Sequence, residues 1–171
     1  LLPGLLLLTP QARWRRRRPH AGWTMRLGRY PQAVRQALQG PPPVWVHAVS
    51  VGEVQAAVPL IAALRQRLPQ RPVVLSTITP GGYQIASRAL GDRGAVIYFP
   101  LDLRACVRRA LDTIRPGALL LMESELWPTV IRMAHARGVP IAVVNGRVSG
   151  RPFQRSQLIR PLLAGMLRRV D

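Results

Sequence analysis

Lysine is absent from this 171-residue chain, and acid is scarce: seven Asp and Glu stand against 25 basic residues, all arginine, for a net charge of +18. The single cysteine, Cys106, excludes a disulfide framework and a cysteine-based zinc site. Its place beside Val107 on a helical pattern reads as a small core residue. There are three histidines, His20, His47 and His135, and no metal-ligand spacing joins them. Neither a Walker motif nor a G-x-G-x-x-G is present, and Gly81-Gly82 alone is too weak a signal for a phosphate loop. The leucine-rich start, "LLPGLLLL", falls short of the roughly 20 apolar residues that span a bilayer. The charge favours polyanions (nucleic acid, an anionic bilayer face or phosphorylated lipid) without choosing among them.

What is present falls into two parts. Residues 1–43 combine the leucines, the block Arg15 to Arg18, Trp14 and Trp23, and the linker "QGPPPV", whose three prolines exclude a helix interior or central strand. An apolar segment followed by arginines and interfacial tryptophans fits the cytoplasmic flank of a membrane anchor; a basic leader is the other reading. The chain opens on Leu1 without a methionine and stops on Asp171, so it is read as a fragment.

From residue 44 the pattern repeats. Apolar runs at 44–49, 72–78, 95–99, 118–122 and 140–145 read as strands, and helical spacing follows each, at 53–68, in a short helix after Thr79-Pro80, at 102–114, from Pro128, and at 154–169. Such alternation predicts βαβ units, and strands that are continuous apolar runs are those covered on both faces. The expectation is an α/β fold, a Rossmann-like doubly wound parallel sheet over residues 44–171.

In such sheets ligands bind at the carboxyl ends of the strands. There the sequence offers Ser50, Gly52 and Glu53; Ser76, Thr77 and Thr79; Asp102; Glu123, Ser124 and Glu125; and Asn145, Gly146 and Arg147. Four of the seven acids, Glu53, Asp102, Glu123 and Glu125, are in this set. Carboxylates gathered at one edge shift one another's pKa values, which lets an acid and a base coexist near neutral pH. Each residue also has a local explanation. Ser50, Asp102 and Ser124 are natural helix N-caps, Glu53 and Glu125 suit helix N-termini, Gly52 and Gly146 suit tight turns, and His47, inside a strand, reads as a satisfied core histidine.

The motifs "WVHAVSVGE" (45–53), "STITPGG" (76–82), "FPLDL" (99–103), "MESELWP" (122–128) and "NGRVS" (145–149), in this order, resemble the acceptor-side half of bacterial transferases of Kdo, 3-deoxy-D-manno-octulosonic acid. The resemblance implies the N-terminal half of a GT-B glycosyltransferase that moves Kdo from CMP-Kdo to the lipid A precursor in lipopolysaccharide biosynthesis. It further implies inversion at the anomeric carbon, no metal or other cofactor, and a site at the cytoplasmic face of the inner membrane. By the same resemblance Glu53 matches the general base and Glu123 the residue supporting the transition state, while Ser50, Gly52, Thr79 and Arg147 contact substrate. Glu125 is expected to serve structure. Two positions depart from the family pattern: Thr79-Pro80-Gly81-Gly82 stands for T-P-T-G, and Thr129 follows W-P where Asn is usual. The C-terminal half that would hold CMP-Kdo is not in the sequence, so the chain alone is expected to be inactive. The alternative is a basic α/β module binding nucleic acid or membrane without catalysis; it accounts for the charge but not for carboxylates at strand ends, where they would repel phosphates.

Overall fold

The computed structural model describes residues 22–91, 94–123, 126–146 and 160–170. Two short helices, α1 (Trp23–Arg26) and α2 (Gln32–Ala37), precede a regular alternation. It runs β1 (Val44–His47), α3 (Val51–Arg67), β2 (Val73–Thr77), α4 (Pro80–Leu90), β3 (Gly94–Tyr98), α5 (Arg104–Ile114), β4 (Ala118–Met122), α6 (Pro128–His135), β5 (Ile141–Val144) and α7 (Arg160–Leu167). The sheet has five strands in the order β3-β2-β1-β4-β5. Every pairing is parallel, with Val44 opposite Val73 on one side and Ala118 on the other. This is the doubly wound, Rossmann-like architecture that the strand and helix pattern predicted.

Side chains alternate across the sheet, as a strand's two-residue period requires. Val44, Val46, Val73, Leu75 and Met122 meet Val54, Ala57 and Ile61 of α3 and Ala86 and Leu90 of α4. Trp45, Val74, Ile97, Leu119 and Leu121 meet Val107, Leu111 and Ile114 of α5 and Val130, Ile131 and Ala134 of α6. Both faces are therefore dry, which is why the strands carry so few polar residues.

Residues 22–43 belong to the packed body. Met25, Tyr30 and Leu38 are buried in the second of these clusters, and the backbone N–H of Leu101 donates to the Arg26 carbonyl at 2.8 Å. Sequence patterning assigned this stretch to a leader and linker. Helices of four and six residues are too short to show a 3.6-residue period. Within α3, Pro59 interrupts the backbone ladder on the exposed side, where water can take the freed carbonyl. The expected helix over 154–169 is seen as Arg160–Leu167; residues 154–159 lie outside the described residues.

Candidate functional site

With strand order 3-2-1-4-5, the chain reverses direction across the sheet between β1 and β4. The crevice outside their carboxyl ends is the switch point where such sheets take ligands. β1 leads into Ser50, Gly52 and Glu53, and β4 is followed by Glu123, so four of the sequence-predicted residues follow the two adjacent strands at that crevice.

On the β1 side, Ser50 and Glu53 form a capping box. Ser50 Oγ accepts the Glu53 N–H at 3.3 Å, and Glu53 returns with Oε1 on the Ser50 N–H at 3.2 Å and Oε2 on the Val49 N–H at 2.8 Å. Glu53 is only 8% exposed. The local explanation thus holds in full, and it also fixes the carboxylate in one rotamer at the mouth of the crevice. Each carboxylate oxygen keeps acceptor capacity beyond its backbone bond. Gly52, in the first turn of α3, is exposed, and a Cβ built there meets nothing within 4 Å. Neither packing nor backbone angle demands glycine at this position.

The β2 edge joins the same platform. Thr77 Oγ1 donates to the Val49 carbonyl at 2.9 Å, and Thr79 caps α4 by accepting the Gly82 N–H at 3.1 Å. A Cβ on Gly82 would lie 2.5 Å from Thr77 Oγ1, so glycine there lets the turn close, and one on Gly81 would lie 3.1 Å from Val51 Cγ2. The helix starts that follow β1 and β2 are thus in contact.

On the β4 side, Glu123 and Asn145 end adjacent strands in left-handed conformation, with φ of 57° and 58°. The Glu123 N–H donates to the Val144 carbonyl at 2.8 Å. Non-glycine residues in this region are held only where surrounding structure over-determines them, and they gather at functional sites. Arg147, Ser124 and Glu125 lie outside the described residues.

Asp102 corrects an expectation. It does not cap its own helix: α5 starts from Leu103 with no side-chain cap. Its carboxylate instead accepts the N–H groups of Thr129 at 3.0 Å and Val130 at 2.9 Å, at the start of α6. Burial pushes the Asp102 carboxyl above its ordinary range, against the opposing pull of those hydrogen bonds, the Thr129 hydroxyl and nearby Arg132.

Beneath the crevice the motifs converge on one buried cluster that sequence reasoning did not assemble. His47 stacks on Phe99 with ring centroids 3.7 Å apart, Phe99 packs on Trp127 at 5.1 Å, and His47 meets Trp127 edge-on at 6.0 Å. Ser76 Oγ accepts from Trp45 Nε1 at 2.8 Å and lies 3.0 Å from His47 Nδ1. Burial pushes the His47 imidazole down to about 3, so it is neutral at physiological pH. The expected satisfied core histidine is half right: Nε2 has no hydrogen-bond partner. The signal in the sequence was an aromatic or histidine in three of the five motifs.

Among the described residues, no group of three or more His, Cys, Asp or Glu could hold a metal ion. Two surface hollows, of about 280 and 390 Å³, open along α6, the first beginning at Pro128 and Thr129 at the helix start, and both are lined in part by Arg132.

The chain is 36% identical over 133 residues to the 3-deoxy-D-manno-octulosonic acid transferase of Haemophilus influenzae, an overlap of 77% of this chain and 31% of that protein. It is 38% identical over 167 residues to the Bordetella pertussis protein of the same name, covering 90% of this chain and 38% of that one. It is 33% identical over 163 residues to a probable mitochondrial 3-deoxy-D-manno-octulosonic acid transferase of Arabidopsis thaliana, covering 91% and 35%. The chain thus spans about a third of the length of the curated relatives it matches. A family profile aligns with residues 21–171, taking in every strand and both carboxylates of the crevice, and by that match the chain belongs to the 3-deoxy-D-manno-octulosonic-acid transferase (kdotransferase) family.

Proposed function

We propose that this chain is the acceptor-side half of an inverting glycosyltransferase that moves Kdo from CMP-Kdo to a lipid A precursor in lipopolysaccharide biosynthesis. What supports this reading is that Glu53 and Glu123, two of the four carboxylates in the family motifs, follow the strands on either side of the switch point. In the proposed step the acceptor hydroxyl gives its proton to Glu53 while its oxygen bonds to the anomeric carbon of Kdo. The bond to the CMP phosphate oxygen breaks, and CMP departs with the electron pair. Single displacement inverts the centre. A carboxylate held by two backbone N–H groups needs no reorganisation to receive the proton, which is what general base work asks of geometry. Glu123 would support the transition state by orienting a hydrogen-bond donor, since direct attraction to an anionic sugar acid is not available to it. Ser50, Gly52 and Thr79 would form the acceptor platform at the starts of α3 and α4, and Arg147 would fork onto a phosphate or carboxylate. No metal takes part in the transfer so proposed.

CMP-Kdo would be held by a C-terminal half, as the GT-B arrangement requires. The proposed location is the cytoplasmic face of the inner membrane. Supporting it are the net charge of +18 and the exposed Trp23 on α1 beside Arg26. No helix of the described residues is long and apolar enough to cross a membrane. The test is transfer by a full-length protein carrying this chain, with labelled CMP-Kdo, lipid A precursor and chelator present. Labelled lipid is expected; binding of CMP-Kdo without any labelled lipid would sink the reading.

A further inference from the structure

Helix α6 cannot cap its own start. Its N-cap residue, Trp127, makes no side-chain cap bond, and Pro128 at the first helical position has no N–H to satisfy. The donors left over in the first turn are the N–H groups of Thr129 and Val130. Asp102 accepts both, reaching across from the connection between β3 and α5. The same connection grips the start of α6 a second time, through Phe99 against Trp127. Upstream, the connection from β4 to α6 begins at Glu123, whose left-handed backbone is tied to β5 by one hydrogen bond to Val144.

We propose that Asp102 is a positioning residue for Glu123: its carboxylate fixes the α6 end of the short connection whose other end carries Glu123 into the crevice. This deepens the transferase reading and rests on it for the role of Glu123. Two oxygens are needed because two adjacent N–H groups must be met at once. A carboxylate spans them, whereas an amide offers one acceptor and turns a donor toward the other N–H. Arg132 of α6 lies close enough to act on the Asp102 carboxylate, and Thr129, the position departing from the family pattern, adds its hydroxyl to the same group. Phe99 and Asp102 of "FPLDL" thereby hold Trp127, Thr129 and Val130 at the start of α6.

The experiment compares Asp102→Ala and Asp102→Asn in the full-length protein, after confirming that both fold. In Asp102→Ala, amide hydrogen exchange is expected to quicken about tenfold or more at Glu123 as well as at Thr129 and Val130. The transfer kcat is expected to fall about tenfold or more while KM for CMP-Kdo stays within about twofold, as misplacement of a reacting group predicts. Asp102→Asn should recover part of both losses. Exchange that quickens at Thr129 and Val130 while Glu123 is unchanged would overturn the proposal, whatever the activity. So would an asparagine variant as damaged as the alanine one. Wild-type protein without transfer would instead overturn the transferase reading, and the exchange result would still decide the role of Asp102.

Discussion

Replacing Gly52 by alanine separates what stability asks of the site from what function asks of it. Gly52 is the second residue of α3, is not among the residues with positive φ, and has room for a Cβ with no atom within 4 Å. Folding would therefore prefer alanine. The helix-propensity difference reaches about 0.8–1.0 kcal/mol in a helix interior, and in the first turn we expect about half of it. For a domain of this size that is an increase in Tm of about 1–3 °C. The methyl would project from the exposed helix start onto the surface assigned to the acceptor. A bulky substrate kept from its best approach by one methyl should lose about 1.4 kcal/mol, a tenfold rise in acceptor KM. The assays are thermal unfolding of the purified chain and steady-state transfer by the full-length protein. A variant with raised Tm and unchanged kcat/KM for the acceptor would refute the claim that Gly52 lies on the acceptor surface. A lowered Tm would refute the claim that the position is sterically free.

Two further outcomes follow from the same geometry. His47 has its pKa pushed down to about 3 in the folded protein against about 6.5 when unfolded, so the stability it contributes is complete above pH 6.5 and is lost as pH falls toward 3, at about 1.4 kcal/mol per unit. Urea unfolding at pH 7 and pH 5 should show a difference about 2 kcal/mol smaller in His47→Phe than in wild type, and equal differences would count against burial as the cause. Gly82→Ala must displace the Thr77 and Thr79 hydroxyls, costing the α4 cap and the bond to the Val49 carbonyl, roughly 2–3 kcal/mol together; a urea midpoint equal to wild type would show that the turn relaxes freely.

The parts of the fold carried by local pattern were legible in the sequence. The run Ala118 to Met122 is β4, residue for residue, because a strand buried on both faces has no polar interruption until it ends. Ser50 was identifiable as a cap since the capping box is a four-residue pattern. What sequence could not supply was partnership at a distance. Asp102 reads as the cap of the helix it precedes; only the fold reveals that the orphan N–H groups it serves are those of Thr129 and Val130, 27 and 28 positions later. His47, Phe99 and Trp127 were visible within motifs, but their stacking depends on the strand order, which periodicity does not determine. For Glu53 the local explanation and the proposed role are compatible, since the bonds that cap α3 also hold the carboxylate in place. Glu123 stood out in the sequence as a strand-end carboxylate, but its left-handed backbone could not be anticipated from a glutamate.

The measurement closest to the central claim is the single-turnover rate of Kdo transfer by full-length Glu53→Gln, with both substrates saturating. Glutamine can keep the bond to the Ser50 N–H through its carbonyl oxygen but turns its NH2 toward the Val49 N–H, so Tm should fall by roughly 2–8 °C while the protein stays folded at the assay temperature. It cannot take the acceptor's proton, and the rate should fall about 10²- to 10⁴-fold. A variant that stays folded and transfers Kdo within about twofold of the wild-type rate would contradict the assignment of Glu53 as the base, and with it the account of this crevice as the seat of the chemistry.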